Sequence, residues 1–464
     1  MVDRETICDT AKYLRQVRPI DPEEIQEYVD EHPGVVRQVL REEAPTLGLV
    51  ETDAGTFEPV DETPVAPTAG PITAVPERYT NVIRDTLIDA YGPDWAAGDS
   101  GNRLRERIRA FKDAYFRGAP VTYDRDTALG YAIYHLPDYY AAIQYVLRDL
   151  TTAGLLDRSV SVCDVGAGVG GPALGLIDSL PDDALLTYRA IEPSDAAADL
   201  LTSLLSATGP NSHSQIDRTT AETADVGGPY DLIIFANVLS ELDDPVAVTE
   251  RFLDALAPDG TMMLLAPADR NTTRTLRTVE RALVDDGPAT TFSPTLRLWP
   301  HARPTDEGWS FAVGPELDRS PLQTTLQAAA PTDEDAFVNT SVKYAYALLR
   351  TDGRRRIAVD PDPAMWARLA DSEAHVGDRI DLMAVKLSAD LAEGANPLFR
   401  IGDGSQSTDH FAVLAKETSL NRALREADYG TLLTIESGLV LWNDDEAAYN
   451  VVVDDETVVD AVGS

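Results

Sequence analysis

The stretch Ser159-Val-Ser-Val-Cys-Asp164-Val-Gly166-Ala-Gly168-Val-Gly170-Gly171 constrains the fold of this chain more than any other. An apolar run ends in an acid and a string of glycines, and the apolar segment Pro172–Leu180 follows. That is the pattern of a strand, a tight turn and a helix. Gly166 and Gly168 let the backbone pass closely under a ligand, and Gly170 lets the helix start near the strand. LLTYRAIEP, YDLIIFANV and TMMLLAPA supply three further apolar strands, with helical stretches between them. Alternation of this kind predicts a parallel sheet in a Rossmann-type α/β domain. Beyond about residue 270 the pattern is less regular until SVKYAYALLR (341–350), a final strand, and the triple Arg354-Arg355-Arg356 closes the domain.

A lone GxGxG says little, but Asp164 narrows it. The nicotinamide fingerprint starts directly at glycine, whereas an acid just before the first glycine is the pattern of S-adenosylmethionine enzymes. There it orients the ammonium group of the methionine moiety. Glu192, at the end of the second strand, is placed to accept hydrogen bonds from ribose hydroxyls. It follows Gly166 by 26 residues, against about 20 in dinucleotide folds, and the 181–185 turn absorbs the excess. Asp217 and Asp225 are alternatives for a residue near the adenine. Asn237, followed by Ser240 and Glu241, ends the fourth strand, where such residues line the transfer crevice. The expected cofactor set is therefore Asp164, Gly166, Gly168, Gly170, Glu192 and Asn237, with helix capping and surface charge as the plain alternative for the two acids. No catalytic residue is assigned. The chain shows neither an Asn-Pro-Pro-Tyr motif nor a paired-cysteine arrangement, and Asp269, Arg270 and Asn237 are candidates by position alone.

The flanks carry other patterns. Residues 1–60 read as three helices and a hairpin, the outline of a winged helix, with Arg37 and Arg41 on the third helix as possible nucleic-acid contacts. Residues 61–76 are a Pro-rich linker. Residues 77–158 are mostly helical and include the basic stretch Arg103, Arg105, Arg107, Arg109 and Lys112, for which a solvated surface is the default. The sheet domain is expected over 159–357. Residues 376–460 look like an autonomous β domain, with five strands and a helix between the third and fourth, the order of an OB-fold. On such barrels aromatic and basic side chains bind single-stranded nucleic acid. Arg400, Phe411 and Trp442 are the candidates here, joined by Arg354 and Arg355, while Phe399 and Phe411 also suit a barrel core.

Composition sets the setting. The chain carries a formal charge of −39, and its lysines are confined to positions 12, 112, 343, 386 and 416. Such a chain repels itself in dilute buffer. At molar salt the Debye length shrinks to about 3 Å, so a halophilic, high-salt cytosol is expected. Screening of that strength leaves a nucleic-acid partner open despite the acidity. No apolar run of membrane-spanning length and no signal peptide is present, which predicts a cytoplasmic protein with no membrane partner. Two cysteines, Cys8 and Cys163, exclude a four-cysteine metal site.

Over roughly 125–357 the chain resembles the methyltransferase-like proteins associated with the mitochondrial small ribosomal subunit and their prokaryotic relatives. Tyr131 to Leu147 is similar to the helical segment before that family's sheet, DVGAGVG to its first motif, and ANVLSEL (236–242) to its motif after the fourth strand. Trp299-Pro300-His301, Trp309-Ser310-Phe311, Arg319-Ser320 and Glu334-Asp335 follow the family's order of CPH, a second Cys-Pro, WCHF and an acidic segment. Trp299, approximately Arg303, and Ser310 stand where that family has cysteines. Thiolates are required for an iron–sulfur cluster, so none is predicted, and His301 is read as a hydrogen-bonded structural histidine with no metal. The resemblance implies a class I methyltransferase domain; the winged-helix-like domain and the OB-fold-like barrel that flank it lie outside the resemblance. The resemblance also implies S-adenosylmethionine as cofactor, and action on rRNA or in assembly of the small ribosomal subunit. A non-catalytic assembly factor or nucleic-acid-binding regulator, and a small-molecule or protein methyltransferase, are the alternatives.

Overall fold

The computed structural model describes residues 4–117, 119, 121–331 and 335–462; Glu334 of the resemblance motif lies outside them. The N-terminal module comprises α1 (Arg4–Leu14), α2 (Pro22–Ile25), α3 (Pro33–Leu47) and a hairpin of β1 (Leu49–Glu51) and β2 (Phe57–Pro59). Ile7, Leu14, Val36, Leu40 and Phe57 form its core. Gly48, in the left-handed conformation, stops α3. The helix is tied to the hairpin by arginines. Arg41 donates to both oxygens of Glu51, and Arg37 lies 3.6 Å from the same carboxylate.

Next along the chain are α4 (Glu77–Tyr91), α5 (Gly98–Arg117), α6 (Arg125–Tyr134) and α7 (Leu136–Thr152). The Rossmann part runs β3 (Ser159–Val165), α8 (Gly171–Ser179), β4 (Leu185–Ile191), α9 (Asp195–Leu205), β5 (Ser212–Asp217), β6 (Tyr230–Ala236), α10 (Pro245–Leu253) and β7 (Leu256–Pro267). Then come α11 (Arg270–Asp285), β8 (Thr290–Ser293), β9 (Ala312–Val313), α12 (Pro321–Ala328) and β10 (Lys343–Arg350). The C-terminal strands are β11 (Arg379–Lys386), β12 (Leu398–Gly402), β13 (His410–Leu414), β14 (Leu432–Asn443), β15 (Ala448–Val453) and β16 (Val458–Ala461). The short helix α13 (Ala423–Glu426) sits between β13 and β14.

Two compact units result. The first holds the chain up to Ile234 with 255–257 and 316–340; the second holds 235–254, 258–315 and the chain from Ser341. In the first, strands are ordered β5-β4-β3-β6. The parallel registers include Asp164 opposite Ala190 and Ile191 opposite Asp217. This is the order of a Rossmann half. The 61–76 segment, expected as a linker, is fastened. Val65 N–H donates to Leu156 O at 2.8 Å, Ile72 N–H to the Tyr145 hydroxyl at 2.9 Å, and Thr73 O accepts from Asp318 N–H. The basic stretch of α5 is also structural in part. Arg105 is buried and donates to Ala96 O and Leu326 O, and Arg109 lies over the Phe337 ring.

In the second unit β10 runs antiparallel to both β7 and β8. The region read as irregular after residue 270 opens with the sixteen-residue helix α11. Its buried face mixes Leu276, Val279 and Leu283 with Thr272, Thr273, Arg277 and Glu280, which hides the apolar period. The barrel closes as β11-β12-β13-β15-β14-β11, with β13 parallel to β15 and the remaining closing pairs antiparallel. This is the OB-fold order. Residues outside 376–460 pack against it. Leu298 and Trp299 pack against Met383, Val385, Leu387 and Leu432, and the Trp299 indole donates to Asp403 at 2.7 Å. A Cβ at Gly404 would stand 2.5 Å from Leu296 O.

Candidate cofactor site

The glycine turn is built by backbone pairing at the end of β3. Gly166 and Ala167 N–H both donate to Ile191 O, at 2.8 and 3.2 Å. Gly166, Gly168 and Gly170 all have positive φ, at 72°, 54° and 92°, which side chains with a Cβ rarely adopt. A Cβ at Gly168 would meet nothing nearer than Gly166 O at 4.0 Å, so the space above it is open. One at Gly170 would strike Leu201 at 2.5 Å. Gly168 thus leaves room for a ligand, and Gly170 serves helix packing. Gly171 and Gly175 let α8 lie against Leu136, Tyr139 and Tyr140 of α7, which brings the aromatic segment under the turn.

Asp164 is completely buried. Its Oδ2 accepts from the Tyr188 hydroxyl at 2.7 Å, and its Oδ1 has no hydrogen-bond partner. Burial, helped by the nearby Glu192 charge, pushes its carboxyl up to about 7. Glu192, also buried, accepts Gly168 N–H at 2.8 Å and Ser194 N–H at 2.7 Å. Burial raises it too, while the two backbone donors oppose the shift. One acid with an unused oxygen and another bound to the glycine turn suit a cationic and polyhydroxylic ligand. An ammonium group is the complement of the free Asp164 oxygen, so the residues present fit S-adenosylmethionine.

Of the other expected positions, Asp217 adjoins Glu192, whose N–H donates to Asp217 O at 3.0 Å. Asp217 is engaged by Arg189, whose Nε donates at 2.7 Å, and Asp225 gives only its carbonyl to the same arginine. Asn237 belongs to the second unit. It has φ 61°, donates its N–H to Leu265 O, and keeps its side-chain oxygen unpartnered. Asp269 caps α11 through Asn271 and Thr272 N–H, and Arg270 pairs with Glu307. Both side chains thus have partners of their own.

Tyr188 was not singled out from the sequence. An aromatic two residues along the strand from Ala190, the residue opposite Asp164, is its only signal. A second omission is His135. It stacks on Tyr139 at 5.2 Å, and its Nδ1 lies 3.3 Å from Asp138 Oδ2.

The proposed nucleic-acid residues divide. Arg400 is 1% exposed and is held between Asp306 and Asp409 at 2.6 and 2.5 Å. Its neutralised, buried guanidinium is an internal tie, and the expectation of a nucleic-acid contact is corrected. Phe399 is core, and Phe411 is half-buried. Trp442 is 40% exposed and sits edge-on to Tyr449, which stacks on His410. Arg354 and Arg355 are exposed, and Arg354 lies 3.7 Å from Asp352. Of the positions where the resembling family has cysteines, Trp299 and Ser310 are buried, and Arg303 pairs with Asp286 on the surface. His301 is exposed and its side chain makes no hydrogen bond to the described residues, contrary to the structural role expected of it. No described helix is long and apolar enough to cross a membrane.

Residues 163–262 match the family described as a methyltransferase domain. Residues 4–53 and 370–462 match the domain of unknown function (DUF8157) N-terminal and C-terminal domains, respectively. No curated protein matches the chain. Solved structures similar to it include an S-adenosylmethionine-dependent methyltransferase from Clostridium acetobutylicum. That protein is 10% identical over 35% of this chain and 57% of its own, with a TM-score of 0.24. The plantazolicin methyltransferase BpumL in complex with SAH is 13% identical over 59% and 97%, with a TM-score of 0.29. The CcbJ methyltransferase from Streptomyces caelestis is 21% identical over 28% and 52%, at 0.23. The chain thus spans little more than half of the first of these. The match to the methyltransferase domain family lies on the strand, glycine turn and helix described above.

Proposed function

We propose that the protein transfers a methyl group from S-adenosylmethionine to rRNA, or acts with that cofactor in assembly of the small ribosomal subunit, in a high-salt cytoplasm. The observation that carries the cofactor part is the buried Asp164 with one oxygen unpartnered beside an open left-handed glycine turn. Asp164 holds the ammonium group, Tyr188 fixes the carboxylate that does so, and Glu192 joins the glycine turn to the ribose side. When bound, the cofactor supplies an electrophilic methyl group. Transfer of that kind needs mainly positioning, which agrees with the engagement of Asp269 and Arg270 elsewhere. The same engagement favours a second reading, a cofactor-binding assembly factor without turnover. The RNA part rests on the motif resemblance and on the exposed Trp442 of the barrel, which sits beside the half-buried Tyr449.

Calorimetric titration of S-adenosylmethionine in multimolar KCl tests the first step, with Gly168→Asp as control. Saturable binding is expected for the native chain and none for the variant, whose carboxylate would occupy the open space. Incubation of purified small subunits with labelled cofactor then separates the two readings. Label in rRNA supports transfer, and binding without label supports the assembly factor. Absence of binding by folded protein defeats both.

A further inference from the structure

In the second unit, where α11 ends and β8 begins, lies a cavity of about 270 Å³. Asp285, Thr295, Arg297, His301, Arg303 and Arg355 are among the residues that line it. Arg297 is nine-tenths buried and rigidly held. Its Nε donates to Asp285 at 2.8 Å and its Nη1 to Glu280, while Nη2 is buried with no partner. The Thr295 hydroxyl, on a residue 3% exposed, is likewise unpartnered. Two buried donor groups on one cavity are left unsatisfied, which native interiors avoid.

Guanidinium groups also gather here. Acids outnumber bases 78 to 39 in this chain, yet three guanidiniums border one cavity. Arg297 pairs with both Glu280 and Asp285, and Arg303 with Asp286, so three carboxylates stand against the three guanidiniums. Arg355 is exposed and makes no ion pair with the described residues, so its guanidinium is available to a ligand. His301 turns the lining loop with φ 60°, an uncommon conformation for a residue with a side chain. The donors are hydroxyl and guanidinium groups, the set that recognises the several oxygens of a phosphate.

We propose that this cavity is a phosphate-binding site, with Arg297 and Thr295 donating from its buried wall and Arg355 from its mouth. The phosphate comes either from a nucleic-acid backbone or from free phosphate. The inference does not rest on methyl transfer or on cofactor binding.

The full chain is titrated by calorimetry with inorganic phosphate and, separately, with a single-stranded oligonucleotide without terminal phosphates. KCl is held at the lowest concentration that keeps the chain folded. Thr295→Val removes the buried hydroxyl at nearly constant shape, and Arg355→Ala alters an exposed side chain that the fold does not use. Saturable binding is expected, weakened at least tenfold in each variant, with S-adenosylmethionine affinity unchanged. Tighter binding of the oligonucleotide assigns the backbone as source, and binding of inorganic phosphate alone assigns free phosphate. No saturable binding of either by folded native chain, or equal affinity in all three proteins, overturns the site.

Discussion

Asp164 and Arg400 are both charged residues in strands with almost no exposure, yet they do different work. Arg400 lies between two carboxylates, and its backbone N–H is also bonded, to Ser388. Asp164 meets one hydroxyl and no cation, and its carboxyl is displaced to about 7. A buried charge balanced by neighbours holds the fold together. One left unbalanced destabilises the empty protein and is relieved by a ligand of opposite sign. Balance, not burial, separates the two residues.

The comparison breaks most visibly at Arg400. Arg400→Ala leaves Asp306 and Asp409 without their shared cation and is expected to lower unfolding free energy by about 3–5 kcal/mol, read from urea midpoints. S-adenosylmethionine affinity of the folded fraction should not change. A loss below 1 kcal/mol would show that the tie is dispensable. Asp164→Asn should do the reverse. Affinity falls by about 1.5–3 kcal/mol, the worth of a charged hydrogen bond, while the empty protein keeps or gains stability.

A pH series sharpens the same point. Asp164 is raised above its ordinary value of 3.8, so it takes up a proton on folding. Its contribution favours the empty protein below pH 3.8 and declines as pH rises towards 7. Binding an ammonium needs the ionised form. Affinity should therefore rise about tenfold per unit, or about 1.4 kcal/mol, on approach to pH 7 and level off above it. Proton release on binding, seen by calorimetry in buffers of different ionisation enthalpy, is expected in the native chain and absent in Asp164→Asn. The smallest effect belongs to the barrel surface. Trp442→Ala should change stability by no more than about 0.5 kcal/mol and weaken single-stranded RNA binding by about 1 kcal/mol. Unchanged RNA binding would remove Trp442 from the interface.

The glycine turn and the barrel order were legible because backbone geometry imposes them locally. Positive φ at three alternate positions demands glycine, and strands separated by turns announce themselves in sequence. What stayed hidden depends on distant partners. Asp306, which claims Arg400, lies 94 residues away, and Tyr188 reaches Asp164 from the next strand, 24 residues on. Helix α11 escaped notice because threonine, arginine and glutamate share its buried face with only three aliphatic residues. The fastening of 61–76 had no periodic signal, since it uses isolated backbone bonds with no repeating face.

That fastened segment has a consequence for reach. A free chain of sixteen residues would let the N-terminal module wander over roughly 22 Å. Here Val65 and Ile72 are anchored, and Asn211 exchanges hydrogen bonds with the backbone of Glu51 in the hairpin. The segment therefore acts as a ruler instead of a tether, and the N-terminal hairpin keeps one set distance from the start of β5.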